Sequence, residues 1–191
     1  MMKLVDLTLL FTLRYVEPAV WRRAVVSGDF ILSDLHHVIQ NLFDWDDSHL
    51  WEFSFAKNRY SPGDDDDDEF TPEGATRGNA DETMLLVALG RHKKFRYTYD
   101  FGDDWQVDIV VEASVATESV KKPVCLGGAR PGPPDDIGGV PGFANFCEVM
   151  SDPAHPEHEE MQEWVADDWD AEAFDLKQVN RELKRGFRGL K

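Results

Sequence analysis

Phe95, Tyr97, Tyr99 and Phe101 alternate with polar residues, and after an acidic Gly102-Asp103-Asp104 turn Trp105, Val107, Ile109 and Val111 do so again. A period of two over this length is the signature of a strand with one buried face. Aromatic and β-branched residues suit such a pleated, half-buried surface. The stretch therefore predicts a hairpin, and with it a mainly antiparallel sheet to which the remaining segments must add.

Three further segments supply strands. Val5, Leu7, Leu9, Phe11 and Leu13 alternate with Asp6, Thr8 and Thr12. Pro18 cannot donate to a ladder, so it belongs to the connection before a second strand from Val20 to Val26. Trp51, Phe53 and Phe55 alternate with Glu52 and Ser54 in a third, from Leu50 to Ala56. Between these, Ser33 reads as an N-cap and Asp34 suits the positive end of a helix dipole. Leu35, Val38, Ile39, Leu42 and Phe43 then mark one apolar helix face. A short helix fits Thr83 to Leu89.

Two stretches read as loops. Residues 61–79 hold the run Asp64–Asp68 and several Gly and Pro residues, and read as a solvated acidic loop without the spacing of a calcium-binding EF-hand. Residues 123–142 are dense in Gly and Pro, which argues for a long surface loop, functional or packed by its own side chains. Three helices are expected after it, around Phe146, around Met161 to Val165, and from Leu176 to Leu183. The last carries the basic residues Lys177, Arg181, Lys184 and Arg185, with Arg188 and Lys191 beyond it.

The expectation is one α+β domain over residues 1–191. A mainly antiparallel sheet of about five strands carries one N-terminal helix and is followed by three C-terminal helices. The formal charge of −17 opposes binding of a phosphate backbone or an anionic membrane. No apolar run is long enough to span a membrane and no signal pattern opens the chain, so a cytoplasmic location is expected. Cys125 and Cys147 show no paired spacing and are expected to be reduced thiols.

Several motifs occur in a fixed order: Pro18-x-Val20-Trp21-Arg22-Arg23, Leu35-His36-x-x-Ile39-Gln40 and Phe43-x-Trp45-x-x-x-His49-Leu50. They are followed by Tyr99-Asp100-Phe101-Gly102-Asp103-Asp104-Trp105, Cys125-Leu126-Gly127-Gly128, Pro133-Pro134-Asp135-Asp136-x-Gly138-Gly139 and Asp152-Pro153-x-His155-Pro156. From about Leu7 to Leu183 the chain resembles the plasmid pRiA4b ORF-3-like family, whose fold is grouped as MM3350-like. The resemblance implies an α+β domain often encoded on plasmids or insertion elements. It also implies a histidine two residues after the hairpin tryptophan and cysteines beside the Pro-Pro-acid-Asp segment. Val107, Gly132 and Ile137 stand at those places here, so a metal site of that composition lacks three ligands.

The residues themselves suggest a site drawn from loops. Asp103, Asp104 and Trp105 lie at the hairpin tip, Asp135 and Asp136 follow two prolines, and Arg22 and Trp45 lie near aromatic segments. Trp21, Trp45, Trp51 and Trp105 suit a groove, and Arg22 suits an ion pair that holds the long loop on the sheet. With His36, His49, His155 and His158, the aspartates Asp103 and Asp104 offer ligands for a divalent metal such as Mg²⁺, Mn²⁺ or Zn²⁺. Aspartates in turns also serve the backbone alone. The first expectation is a non-catalytic domain that binds a protein, a peptide or a small ligand. The alternatives are a metal-dependent hydrolase or nuclease, and a nucleic-acid factor of mobile elements.

Overall fold

A computed structural model describes residues 4–63, 75–117 and 122–187. The acidic run Asp64–Asp68 and the terminal Arg188 and Lys191 lie outside the described residues. Eight strands form one sheet in the order β5-β4-β3-β6-β7-β1-β2-β8. They are β1 (Leu4–Leu13), β2 (Trp21–Ser27), β3 (Trp51–Phe55), β4 (Asn58–Ser61), β5 (Arg77–Asn79), β6 (Lys94–Tyr99), β7 (Trp105–Thr117) and β8 (Val124–Ala129). Every pairing is antiparallel except that of β4 with β5.

The predicted hairpin is β6–β7, with Tyr99 opposite Trp105 and Phe95 opposite Ile109. Its apolar side, together with Leu7, Leu9, Phe11 and Leu13 of β1, is buried. The helix α1 (Leu32–Phe43) lays Leu35, Val38, Ile39 and Leu42 into the same core. The opposite sheet face carries cross-strand ion pairs: Arg96 and Arg14 on Asp108, Arg23 on Glu112, and Arg59 on Glu52. One apolar face and one charged face are what an antiparallel sheet covered on a single side requires.

Among the described residues the sheet has eight strands, not about five. The three unforeseen strands lack alternation. Every residue of β4 and β5 is half-buried, and β8 buries only Cys125. Their backbone pairing, and not a side-chain stripe, makes them strands. β5 also falls inside the stretch read as an acidic loop, and β8 inside the stretch read as a Gly/Pro loop. The helices differ too. Among the described residues they number five, with α2 (Leu85–Leu89), α3 (Gly139–Ser151), α4 (His158–Gln162) and α5 (Leu176–Gly186) after α1. α3 begins inside the Gly/Pro stretch, and α4 is short and buries no side chain. α1 starts two residues earlier than a Ser33 cap implies. Ile31 is the N-cap and donates its N–H to Asp34 Oδ2 at 3.3 Å, while the Ser33 hydroxyl donates to Asp81.

The edge strand β8 is covered by α5. Asn180 accepts from the Cys125 N–H at 3.0 Å and donates to the Cys125 carbonyl at 2.9 Å, imitating a neighbouring strand and blunting the edge. Both cysteines are free. No described helix is long and apolar enough to cross a membrane.

The segment after β8 is rich in glycine because it runs against other backbone. A Cβ on Gly132 would lie 1.8 Å from the Phe43 carbonyl oxygen at the end of α1. Gly139, at φ +66°, would place a Cβ 2.5 Å from the Asp103 carbonyl oxygen at the hairpin tip. The loop is thus pressed between the α1 terminus and the β6–β7 tip. Gly132→Ala should lower unfolding stability by about 2 kcal/mol or more, since backbone must move. Urea denaturation of the variant measures this, and a loss under about 0.5 kcal/mol would show that the contact yields freely.

Candidate functional site

Three loops converge where α1 ends. The first, residues 44–50, leaves α1 through Asp44 in the left-handed region, at φ 62°. Trp45 then turns inward, stacks on Phe43 and Tyr99 at 5.1 and 4.9 Å, and donates its indole N–H to the Pro133 carbonyl at 3.1 Å. That clasp joins the first loop to the Gly/Pro segment and to β6. The second loop is the hairpin tip, residues 100–104. Its left-handed turn residues are Asp100 and Asp104, each at φ 52°. The third, residues 130–138, is bound to the tip by the Gly138 N–H, which donates to Asp103 Oδ2 at 3.0 Å.

Five of the eight described non-glycine residues at positive φ are aspartates: Asp44, Asp47, Asp100, Asp104 and Asp136. Aspartate tolerates that region because its short carboxylate bonds locally. Turn chemistry therefore concentrates carboxylates at this end of the sheet, and the fold then brings them together.

His49 sits at the centre of the cluster. Its Nε2 lies 3.2 Å from Asp136 Oδ1 and its Nδ1 3.9 Å from Asp100 Oδ1. One ligand atom from each of His49, Asp100 and Asp136 fits within 4.8 Å of the others. His49 Nε2 has no well-directed hydrogen bond, although Asp136 is within reach. Beside it, the Tyr99 hydroxyl donates to Asp135 Oδ1 at 3.2 Å and accepts from the Ser48 N–H at 3.2 Å. Asp135 Oδ2 accepts from the Asp46 N–H at 3.1 Å. Burial, and then the nearby Asp46 charge, raise the Asp135 carboxyl above its ordinary pKa. Hydrogen bonds from Ser48 hold Asp46 below its own. Two exposed apolar side chains, Leu50 and Phe101, stand next to His49 and Asp100 in sequence.

A second group lies on the α1 side of the first loop. Gln40 donates to the Tyr97 hydroxyl at 3.0 Å, and that hydroxyl lies 2.6 Å from His36 Nδ1. His36 Nε2 lies 2.6 Å from Asp47 Oδ1, and the Asp47 N–H donates to Gln40 Oε1 at 3.0 Å. With the proton of His36 on Nε2, the four residues form a closed ring of donors and acceptors. His36 stacks on Trp51 at 4.1 Å and is 1% exposed. Burial drives its pKa down to about 4 against the pull of Asp47.

The sequence-predicted residues separate accordingly. Trp45, His49, Asp135 and Asp136 come together, and Asp103 lies at the border, occupied by Gly138. Asp104 turns aside to accept from the Gln106 amide at 2.8 Å. Trp105, Trp45 and Trp51 are core residues. His36 belongs to the buried ring. His155 accepts from the Glu157 N–H at 3.2 Å, and neither His155 nor His158 joins a ligand cluster among the described residues. Arg22 makes no ion pair among the described residues. Its guanidinium donates to the carbonyls of Leu42, Trp21 and Ala129 at 2.8, 2.8 and 2.9 Å. Sequence reasoning missed Asp100, Asp46, Asp47 and Tyr99. The available signal was the row of aspartates between alternating segments, where left-handed turns are needed.

The model of a family described as plasmid pRiA4b ORF-3-like protein matches residues 6–178. A Sinorhizobium fredii chain named uncharacterized protein y4hQ is 36% identical over 171 residues, covering 89% of this chain and 86% of that one. The crystal structure of MM3350 from Methanosarcina mazei Go1, titled a protein of unknown function, aligns with a TM-score of 0.81 and 32% identity. It covers 93% of this chain and 99% of its own.

The buried ring sets a pH dependence. Unfolded His36 takes a proton near its ordinary 6.5 and the folded residue only near 4, so the unfolded state binds more protons between these values. Stability from this group is complete above about pH 6.5 and falls as pH drops toward 4, by about 3 kcal/mol in all. Urea midpoints measured from pH 7.5 to 4.5 should decline more steeply for the native chain than for His36→Gln. Equal slopes would show that the ring does not titrate.

Proposed function

This chain belongs to the plasmid pRiA4b ORF-3-like family, and on that footing we propose that it is a non-catalytic binding domain organised around a divalent cation held by His49, Asp100 and Asp136. One observation carries the reading. An imidazole and two carboxylates from three separate loops place their ligand atoms within 4.8 Å. Asp46 and Asp135 add two more carboxylates close by. No lysine or arginine ion-pairs with any of these four aspartates among the described residues. Like charges this close repel unless a cation lies among them. One nitrogen and two hard oxygens suit Mn²⁺ or Zn²⁺, and three protein ligands leave coordination positions open.

A second reading follows from Asp135. Its raised carboxyl and its hydrogen bond to Tyr99 give it the character of a general base beside those open positions, as metal-dependent hydrolysis would need. A nucleic-acid role has less support. The net charge is −17, and Arg185 on the basic side of α5 is paired with Glu182.

Protein purified without a histidine tag should melt at a higher temperature with MnCl₂ or ZnCl₂. At a hundredfold excess over the dissociation constant the gain is about 2.7 kcal/mol. His49→Ala and Asp136→Asn should abolish the shift, and Asp104→Asn should keep it. If no divalent ion stabilises the native chain, the cation centre is refuted. If the ions bind and phosphodiester or peptide substrates are turned over, hydrolysis replaces the binding role.

A further inference from the structure

A groove of about 570 Å³ opens on the other side of the α1 terminus, between Pro131–Gly132, residues 164–175 and the start of α5. It shares no lining residue with the His49 cluster. Its walls are aromatic. Trp169 packs edge-on against Phe146 at 4.9 Å, and Phe174 lies under the Arg22 guanidinium at 4.7 Å. Gly128 makes room for that ring, since a Cβ there would lie 2.7 Å from Phe174. Trp164 differs from both. It is 49% exposed, and among the described residues its indole makes no ring contact.

The rim is acidic. Asp44, Asp168, Asp170, Asp175 and Glu182 all line the groove, against the two cations Arg22 and Arg130. Both cations are committed elsewhere. Arg22 is spent on three backbone carbonyls and Arg130 on Glu172. Glu182 is paired with Arg185, Asp175 caps α5 and Asp44 faces the Arg22 charge. Asp168 and Asp170, however, make no ion pair among the described residues, and such carboxylates over apolar walls concentrate a negative potential in the groove.

We propose that this groove docks an arginine-bearing peptide segment of another protein. A guanidinium stacks on indole and phenyl faces and forks onto carboxylates, which an ammonium does less well. The fold already stacks a guanidinium in this way, because Arg22 lies over Phe43 and Phe174 at 5.1 and 4.7 Å, with backbone carbonyls in place of the carboxylates. A volume of about 570 Å³ lies in the range of ligand pockets, so an apolar neighbour of the arginine can pack on Val165. The inference is independent of the cation centre.

Panning a random heptapeptide phage library against the immobilised full chain tests it, with the selected peptide then titrated by fluorescence polarisation. Selected peptides should be enriched in arginine. Affinity should fall about tenfold with Trp164→Ala or Asp168→Asn, and again when the peptide arginine becomes lysine. Both substituted side chains are exposed, so melting curves should match the native chain. His49→Ala should bind the peptide normally, which separates this result from failure of the cation centre. Peptides without arginine enrichment, or affinities untouched by both substitutions, would overturn the proposal.

Discussion

The guanidinium of Arg22 ties together elements that share little sequence proximity. It is almost fully buried and bonds to carbonyls of α1, β2 and the end of β8, with Phe43 and Phe174 on its faces. Burying an unpaired charge is costly, and the cost shows in a pKa lowered to about 10, chiefly by burial. The group remains protonated at neutral pH and finds its compensation in dipoles. Leu42 supplies a carbonyl from the last turn of α1, where the helix dipole is negative. Without this contact, the α1 terminus and the segment after β8 would lose their common anchor.

Both proposed sites flank that anchor. On one side Trp45 draws the first loop onto Pro133 and Tyr99, which sets the height of His49, Asp135 and Asp136. On the other, Phe174 and Pro131–Gly132 form walls of the aromatic groove. The polar ring of Gln40, Tyr97, His36 and Asp47 fixes the first loop from beneath. Every member of that ring has a partner, and a fully satisfied buried network rigidifies the region around it. The loops that carry chemistry are therefore short, crossed by hydrogen bonds and held by a rigid sheet and helix.

The hairpin, β1 and β3 were legible because their burial pattern is written residue by residue in the alternation. α1 was legible for the same reason at its own period. β4, β5 and β8 were not. Asn58–Ser61 and Arg77–Asn79 have no buried stripe, and Val124–Ala129 contains two glycines. Those strands exist because neighbours offer unpaired backbone groups, which no local pattern reports. Arg22 was recognised as important, but its partners were misassigned. Its donors went to carbonyls whose positions depend on the path of the whole chain.

The candidate site divides along the same line. Composition and turn chemistry alone placed aspartates at the α1 exit, at the hairpin tip and after the two prolines, since left-handed turns favour that residue whatever surrounds them. They also determined an acidic body with an antiparallel sheet and an amphipathic helix upon it. Only the tertiary structure decided which carboxylates meet His49. Asp100 and Asp136 turn toward it, Asp104 turns toward Gln106, and Asp103 is consumed by the Gly138 backbone. That choice rests on contacts between residues far apart in the chain: the Trp45 indole on the Pro133 carbonyl and the close approach of Gly132 to Phe43. Short-range preference specifies a turn, but the direction a side chain faces across a loop junction is set by packing.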